Sequence, residues 1–132
     1  EVFPQSSIDG ILLYTKDEGE AGGTVKHAQF ILDKKVFMAM DGVGNHAFAF
    51  NEAISFVVDC ETQEEIDFYW NKLTADGGQE SQCGWLKDKF GVSWQIVPVV
   101  LGKLMSDWER APRVMQAFMK MKKFDIATLM NA

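Results

Sequence analysis

Hydrophobic and polar residues near the start of the chain follow the short period of β-strands. Residues 8–15 form an apolar run, 24–32 alternate, and 36–40 are mostly apolar again. The acidic, glycine-bearing string at 17–23 predicts a loop, and Asp-Lys-Lys at 33–35 predicts a tight turn. We therefore predict three strands in this part of the chain, with the second and third joined as a hairpin.

The period changes to that of a helix between residues 62 and 74. Thr62, followed three positions later by Glu65, matches the capping-box pattern, in which side chains satisfy the first free amides of a helix. Apolar residues then recur at helical spacing, and they are Ile66, Tyr69, Trp70 and Leu73. The Gly77-Gly78 pair that follows predicts the end of the helix.

Further strands flank this helix in the sequence. Residues 53–59 alternate before it, and residues 82–87 and 92–97 are strand-like after it. The string at 88–91 predicts a turn between the last two strands, and Pro98 predicts the end of the last one. The order is therefore strand, helix, and then antiparallel strands.

The last part of the chain is helical in pattern and basic in charge. We predict helical segments at 101–105, from Pro112 onward, where proline suits a first turn, and at 125–132. Residues 103–132 carry 6 basic and 3 acidic side chains, a net of +3, whereas residues 1–102 carry 7 and 16, a net of −9. We interpret this tail as helices with a basic solvent face on an acidic body; a basic patch that docks an anion is the alternative.

The strand phases predict one apolar and one polar sheet face. If Phe30, Phe56 and Trp94 face helices, the opposite face presents polar side chains suited to a ligand cup. Those side chains are Ser55, Ser93, Gln95, His27 and Gln29. A solvent-exposed sheet face would alternate in the same way. Trp85 is a candidate for stacking on a ligand, with a place in the core or an interface as the alternative.

Length and composition narrow the class of protein. The 132 residues suit one domain or two small halves, and 47% hydrophobic residues exclude a disordered chain. A net charge of −6 argues against binding to nucleic acid, and no apolar run approaches the roughly 20 residues that span a membrane. We interpret Cys60 and Cys83 as free, inert thiols of a cytoplasmic protein, with a catalytic thiol as the alternative.

Three strings carry a resemblance to a known family. They are FNEAISFVVDCETQEEIDFYWNKL at 50–73, GGQESQCGWLKDKFGVSWQIVP at 77–98 and VMQAFMKMKKFDIATL at 114–129. Together they resemble the PhnB-like branch of the glyoxalase/bleomycin-resistance superfamily, the vicinal-oxygen-chelate fold. Members of this branch are often named 3-demethylubiquinone-9 3-methyltransferase-like.

The resemblance implies an α+β fold of paired βαβββ units, in which a mostly antiparallel, cupped sheet binds ligands. We expect a single domain with a remnant of the first unit at 1–50, the second unit at 53–98 and a helical tail at 101–132. The first unit matches the family only from the end of its helix onward. We therefore expect it to be truncated at its N-terminal side, with further residues before Glu1.

The superfamily's enzymes usually hold a divalent metal through His and Glu, and the resemblance places the closing Glu near the end of the last strand. Gln95 stands at that position here, and Ala53 or Ile54 stands where the second unit's opening His is expected. A neutral amide is a poor anchor for a transition metal. We therefore predict no metal and no other cofactor.

A homodimer is also expected. The predicted apolar faces exceed what 132 residues can cover alone, and exposed apolar patches usually mark a partner surface. The superfamily's members often pair, and the tail helix with Val114, Phe118 and Met121 is the expected contributor. A monomer in which this helix packs on its own sheet is the alternative.

Four functions remain open at this point. We favour a protein that binds a small organic molecule in the sheet cup without the usual metal, and we leave open whether it is an enzyme. The alternatives are a metal-dependent lyase, isomerase or dioxygenase of the glyoxalase type, a structural dimer module, and the methyltransferase of the family name. A doubly wound methyltransferase needs a glycine-rich loop that opens a helix, whereas the glycine pairs here precede strand patterns.

Overall fold

The computed structural model describes residues 2–132, apart from the side chain of Glu20. The chain divides into two compact units, Glu1–Phe48 and Ala49–Ala132, which are called the N-terminal and the C-terminal unit below. The expectation about residues before Glu1 lies outside the described residues. The C-terminal unit contains both the segment predicted as a βαβββ unit and the helical tail.

The N-terminal unit is built on an antiparallel sheet. In the described part of this unit, β1 (Ser6–Leu13), β2 (Val25–Leu32) and β3 (Lys35–Ala39) lie in the order β1-β2-β3. Asp33 and Lys34 join β2 to β3 with φ angles of 45° and 64°, and two positive φ angles give the turn whose twist suits a hairpin. The predicted hairpin is confirmed, with a turn one residue shorter than expected.

One face of this N-terminal sheet is apolar and open. Phe30 opposes Ile8 on β1 and Phe37 on β3, and the two phenylalanine rings stack with centroids 5.5 Å apart. Ile8 is 71% exposed, and this face borders a groove of about 410 Å³. We expected Phe30 to face helices, but residues 2–48 contain no α-helix, so its packing partner within the unit is the ring of Phe37.

The C-terminal unit has the predicted order of elements. Its described strands are β4 (Ser55–Cys60), β5 (Gln79–Glu80), β6 (Trp85–Lys87) and β7 (Ser93–Pro98), arranged as β4-β7-β6-β5. β4 pairs with β7 in parallel, whereas β6 runs antiparallel to both of its neighbours. A parallel pair needs a crossover connection, and the helix α1 (Gln63–Thr74) begins it.

Helix α1 begins as the sequence predicts. Thr62 Oγ1 accepts a hydrogen bond from the Glu65 amide at 3.3 Å, which satisfies one free donor of the first turn. Glu65 Oε2 accepts the return bond from the amide of Glu61, one residue before the expected partner, at 2.7 Å. Ile66, Trp70 and Leu73 form the buried stripe, and Trp70 Nε1 donates to Glu80 Oε1 on β5 at 2.9 Å.

The tail forms three short helices that pack within the C-terminal unit: α2 (Val100–Ser106), α3 (Ala111–Phe118) and α4 (Ile126–Met130). Gln63 of α1 fixes the start of α4, because its side chain donates to the Phe124 carbonyl oxygen at 3.1 Å and accepts from the Ile126 amide at 2.9 Å. Val114 is fully buried within the unit, whereas Phe118 and Met121 are half-buried, and the pairing of this helix with a second chain stays a prediction.

Two basic side chains of the tail contact acidic residues of the same unit. Lys122 lies 3.4 Å from Glu80 on β5, and Lys123 lies 2.5 Å from Asp67 on α1. These contacts place two lysines of the tail beside acidic side chains, and the expected basic solvent face stays a prediction. None of the helices found in residues 2–132 combines the length and the apolar character that crossing a membrane requires.

Candidate functional site

The sheet of the C-terminal unit has two chemically different faces. Leu86, Trp94 and Ile96 are nearly inaccessible, and Glu80, which opposes Leu86, binds the indole of Trp70, so this face packs on α1. Side chains alternate along a strand, so the intervening residues lie on the opposite face. We call that opposite face the polar face, and we define it by Ser55, Trp85, Lys87, Ser93 and Gln95.

Three of the predicted site residues meet on the polar face. Ser55 opposes Ser93 across the parallel β4–β7 pair. Gln95 Nε2 donates a hydrogen bond to Ser55 Oγ at 2.8 Å, which links the two strands through their side chains. The strand phases thus place these residues together, on the side away from α1. That they bind a ligand stays a prediction.

Ser93 is the least exposed residue of this group. It is 1% exposed, and its hydroxyl makes no hydrogen bond with any of the residues that the structure describes. A buried hydroxyl that lacks a partner loses its bonds to water, at a cost of about 1–3 kcal/mol. Such groups are uncommon in folded proteins and call for a specific explanation.

A cleft of about 140 Å³ lies along part of the polar face. Its lining residues are Glu52, Gln79, Glu80, Ser81, Trp85, Leu86, Lys87 and Ser93. Ser55 and Gln95 share the polar face without lining this cleft. Ser93, whose buried hydroxyl has no partner among the described residues, is thus one of the residues that line the cleft.

An ion pair joins two of the residues that line the cleft. Lys87 opposes Ser93 across the β6–β7 pair, and its ammonium group contacts the carboxylate of Glu52 in the loop before β4. The hydrogen bond from Lys87 lowers the pKa of the Glu52 carboxyl group below its ordinary value. The lysine side chain is 32% exposed and the glutamate side chain is 62% exposed, so the glutamate is the partner with more contact with water.

The two tryptophans of the neighbouring strands have different surroundings. Trp94 is 8% exposed and donates from Nε1 to Asp88 Oδ2 at 3.0 Å, which makes it a core residue. Trp85 is half-buried, opposes Gln95 and lines the cleft. Trp85 is therefore placed where an aromatic ring can contact a bound molecule.

His27 and Gln29 lie on β2 of the N-terminal unit. His27 is exposed and opposes Leu12, whereas Gln29 is half-buried and donates from Nε2 to Asp9 Oδ2 at 3.4 Å. Asp9 lies at the register shift between β1 and β2. Gln29 thus has a structural partner already, and the role of both residues toward a ligand stays a prediction.

The cysteines of the C-terminal unit differ in environment, and no described residue forms a disulfide with either. Cys60 is fully buried, and burial raises the pKa of its thiol to about 12, so it is protonated at neutral pH and inert. Cys83 has a φ of 56°, and its Sγ lies 3.7 Å from the Phe118 carbonyl oxygen and 3.9 Å from Met119 Sδ.

The polar face does not fit the divalent metal of the superfamily's enzymes. Across residues 2–132, no group of three or more His, Cys, Asp or Glu side chains could hold a metal ion. Gln95 is engaged with Ser55, and Lys87 places a positive charge beside Ser93. A cationic side chain and neutral donors are poorly matched to a divalent cation. The absence of metal from the protein stays a prediction.

Sequence reasoning missed the ion pair of the cleft. Lys87 follows Trp85 at the strand period of two, so its phase already places it on the polar face. Glu52 lies in an irregular segment before β4, and no local pattern connects it to a lysine 35 positions later (87 − 52). Only the pairing of β6 with β7, and of β7 with β4, brings the two residues together.

Comparison with known proteins identifies a family and solved structures that are similar to this chain. A family model described as 3-demethylubiquinone-9 3-methyltransferase matches residues 1–97. A PhnB protein from Bacillus cereus, which carries that enzyme name provisionally, is 41% identical, with 74% of this chain and 83% of that chain covered and a TM-score of 0.69. None of the curated proteins matches the chain.

A more distant structure supports the fold alone. A protein from Pseudomonas aeruginosa is 17% identical, with 70% of this chain and 77% of that chain covered and a TM-score of 0.57. The α+β architecture, with its mostly antiparallel sheets and its βαβββ unit, is thus confirmed as the glyoxalase-like fold that we expected.

Proposed function

Because the chain belongs to the 3-demethylubiquinone-9 3-methyltransferase family, we propose that it is a PhnB-like protein that binds a small organic molecule on the polar face of its C-terminal unit, without a metal. The observation that carries this proposal is Ser93, which lines the cleft and whose buried hydroxyl lacks a partner among the described residues. A ligand atom that bonds this hydroxyl would remove the cost of leaving it unpaired.

The neighbours of Ser93 support the same proposal. Trp85 offers an aromatic surface, and the Gln95–Ser55 hydrogen bond holds the adjoining strands in register. A few placed polar groups beside an aromatic side chain are typical of sites for small molecules. His27 and Gln29 of the N-terminal unit remain candidate ligand contacts, and we propose a cytoplasmic location.

The activity in the family name has less support from the residues. The Gly22-Gly23 pair is followed by β2, and the Gly77-Gly78 pair is followed by β5. A doubly wound methyltransferase would instead place its glycine-rich turn between a strand and a helix, where the helix N-terminus receives the cofactor. We therefore rank methyl transfer below ligand binding.

Mass analysis of the purified chain tests the proposal directly. Native mass spectrometry, followed by mass analysis of the denatured sample, should show a small organic molecule that the Ser93→Ala variant retains poorly. The Ser106→Ala variant, which changes an exposed serine outside the cleft, serves as the matched control. The proposal fails if the wild-type chain carries no molecule and takes none up from a metabolite extract.

Elemental analysis separates this function from its metal-dependent alternative. Protein purified without chelator should contain well under one equivalent of zinc, nickel, iron or manganese. A stoichiometric metal that is lost from a Gln95→Ala variant would favour the glyoxalase-type enzyme instead.

A further inference from the structure

We propose that the ligand of the cleft is a small carboxylate, and that it binds by taking the place of Glu52 on the ammonium group of Lys87. This inference rests on the proposed function and names the chemical class of its ligand. It depends on the Lys87–Glu52 ion pair, on the Ser93 hydroxyl that has no partner among the described residues, and on the charges that line the cleft.

The Lys87–Glu52 contact shows which chemistry the cleft accepts. Lys87 lines the cleft, its side chain is two-thirds buried, and a carboxylate oxygen is already its partner. A carboxylate supplied by a ligand would make the same charge-assisted hydrogen bond, at the same point of the sheet.

Glu52 is the partner that can leave. Its side chain is 62% exposed, and it belongs to the loop before β4 rather than to the sheet. Because the glutamate side chain is already largely in contact with water, little is lost when its carboxylate leaves Lys87. The backbone of Lys87, in contrast, lies within the sheet, where β6 pairs with β5 and β7.

Ser93 supplies the second donor for the same ligand. It lies directly opposite Lys87 across the strand pair, where side chains on one face are about 5 Å apart at Cβ. A carboxylate has two oxygens, so one group can accept from the ammonium and from the hydroxyl. No described protein group uses that hydroxyl, which leaves it for the ligand.

The remaining charge of the cleft does not oppose an anion. The charged lining residues are Glu52, Glu80 and Lys87. Glu80 accepts from Trp70 Nε1 at 2.9 Å and lies 3.4 Å from Lys122, so its charge is already compensated. Once Glu52 has moved away, Lys87 is the uncompensated charge of the site.

The size of the cleft limits the rest of the ligand. A volume of about 140 Å³ is well below the roughly 300 Å³ at which pockets for drug-sized ligands begin. Trp85 offers a flat apolar surface beside the two donors. A compact carboxylate with a planar skeleton therefore matches the site.

Benzoate and benzamide test this class, because they share a ring and differ in charge. We would titrate each into the ¹⁵N-labelled full chain and follow the Trp85, Lys87 and Ser93 amides and the Trp85 indole by NMR. Benzoate should shift these signals, and benzamide should bind about tenfold more weakly or worse.

Variants test whether the ligand replaces the Glu52 carboxylate on Lys87. Glu52→Gln should tighten benzoate binding about threefold or more because it removes the competitor, and Lys87→Met should weaken it about tenfold or more. Glu109→Gln and Lys89→Met make the same changes in charge at exposed positions outside the cleft, and they should leave benzoate binding unchanged. The spectra themselves report whether each variant is folded.

The outcomes separate the class of ligand from the function. If benzamide binds at these residues as well as benzoate does, ligand binding stands and the carboxylate class is wrong. If Glu52→Gln weakens benzoate binding, the exchange is wrong. If neither compound shifts these signals, the inference fails, and the copurified molecule then decides separately whether the proposed function holds.

Discussion

Ser93 combines deep burial with a hydroxyl that no described residue uses, which gives its replacement an unusual expected effect. Ser93→Ala should leave the free energy of unfolding unchanged or raise it by up to about 1–3 kcal/mol, since it removes an unpaired polar group. Urea unfolding of the ligand-free chain measures the change. Ser55→Ala is the control, because it removes the acceptor of Gln95 Nε2 and should cost about 0.5–1.5 kcal/mol.

A larger loss in Ser93→Ala than in Ser55→Ala would mean that the Ser93 hydroxyl stabilises the fold itself. The contrast is useful because the same substitution is expected to reduce ligand retention. If Ser93 serves folding alone, Ser93→Ala should lower the free energy of unfolding and ligand retention together. If Ser93 serves ligand binding, Ser93→Ala should lower ligand retention only.

Among the elements, the start of α4 is joined to α1 by two hydrogen bonds of one amide side chain, that of Gln63. Gln63→Ala removes both bonds, to the Phe124 carbonyl and the Ile126 amide, and should cost about 1–3 kcal/mol locally. Hydrogen exchange should then show loss of protection in Ile126–Met130 before the sheet is affected. Gln116→Ala, an exposed position on α3, is the matched control and should leave exchange in α4 unchanged.

The contacts between the tail and the acidic residues should make the tail sensitive to acid. The hydrogen bond from Trp70 lowers the pKa of Glu80, and the one from Lys123 lowers the pKa of Asp67. A lowered folded-state pKa adds stability that is present above the unfolded-state value and is lost as the pH falls through the folded-state value. Both groups are carboxyls, so the loss falls below about pH 4.

Thermal unfolding at pH 7 and pH 3 measures this sensitivity. Glu80→Gln keeps an acceptor for Trp70 but carries no charge, so the difference in melting temperature between the two pH values should be smaller than in the wild-type chain. The exposed Glu109→Gln variant should keep the wild-type difference. An equal difference in all three chains would contradict a role for Glu80.

The elements themselves were predictable from the sequence to different degrees. The capping pattern and apolar stripe located α1, and alternation located β2, β4 and β7 within two residues. The strand predicted at 82–87 begins only at Trp85, because Cys83 and Gly84 have φ angles of 56° and 81°, which no extended strand contains. β5 was missed because two residues carry no period.

The candidate site was predictable in part for the same reasons. Strand phase placed Ser55, Ser93 and Gln95 on one face, since alternation is a property of each strand alone. The parallel pairing of β4 with β7 decides which of these residues are neighbours. The local sequence pattern of a strand does not predict which other strand it pairs with. The contact between Glu52 and Lys87 depends on that choice and was therefore missed.

For the whole molecule, we propose that two chains pair through the exposed face of the tail. Val114 is buried, but Trp108, Met115 and Met119 are 81%, 47% and 61% exposed. Light scattering at micromolar concentration should give twice the chain mass of 14.9 kDa. Met115→Lys with Met119→Lys should yield a folded monomer, whereas Met38→Lys, at an exposed position of the N-terminal unit, should not. A wild-type mass of one chain would refute the pairing.

The parallel pair at the edge of the C-terminal sheet also has a consequence for the order of synthesis. Among the described residues, β4 pairs with β7 alone, and their facing residues Ser55 and Ser93 are 38 positions apart (93 − 55). β4 therefore leaves the ribosome well before β7 has been synthesised. Until then, both edges of β4 are unpaired and its apolar residues Phe56 and Val57 are uncovered. Such a strand is prone to aggregation. α1, whose cap is local, is the first element able to cover it.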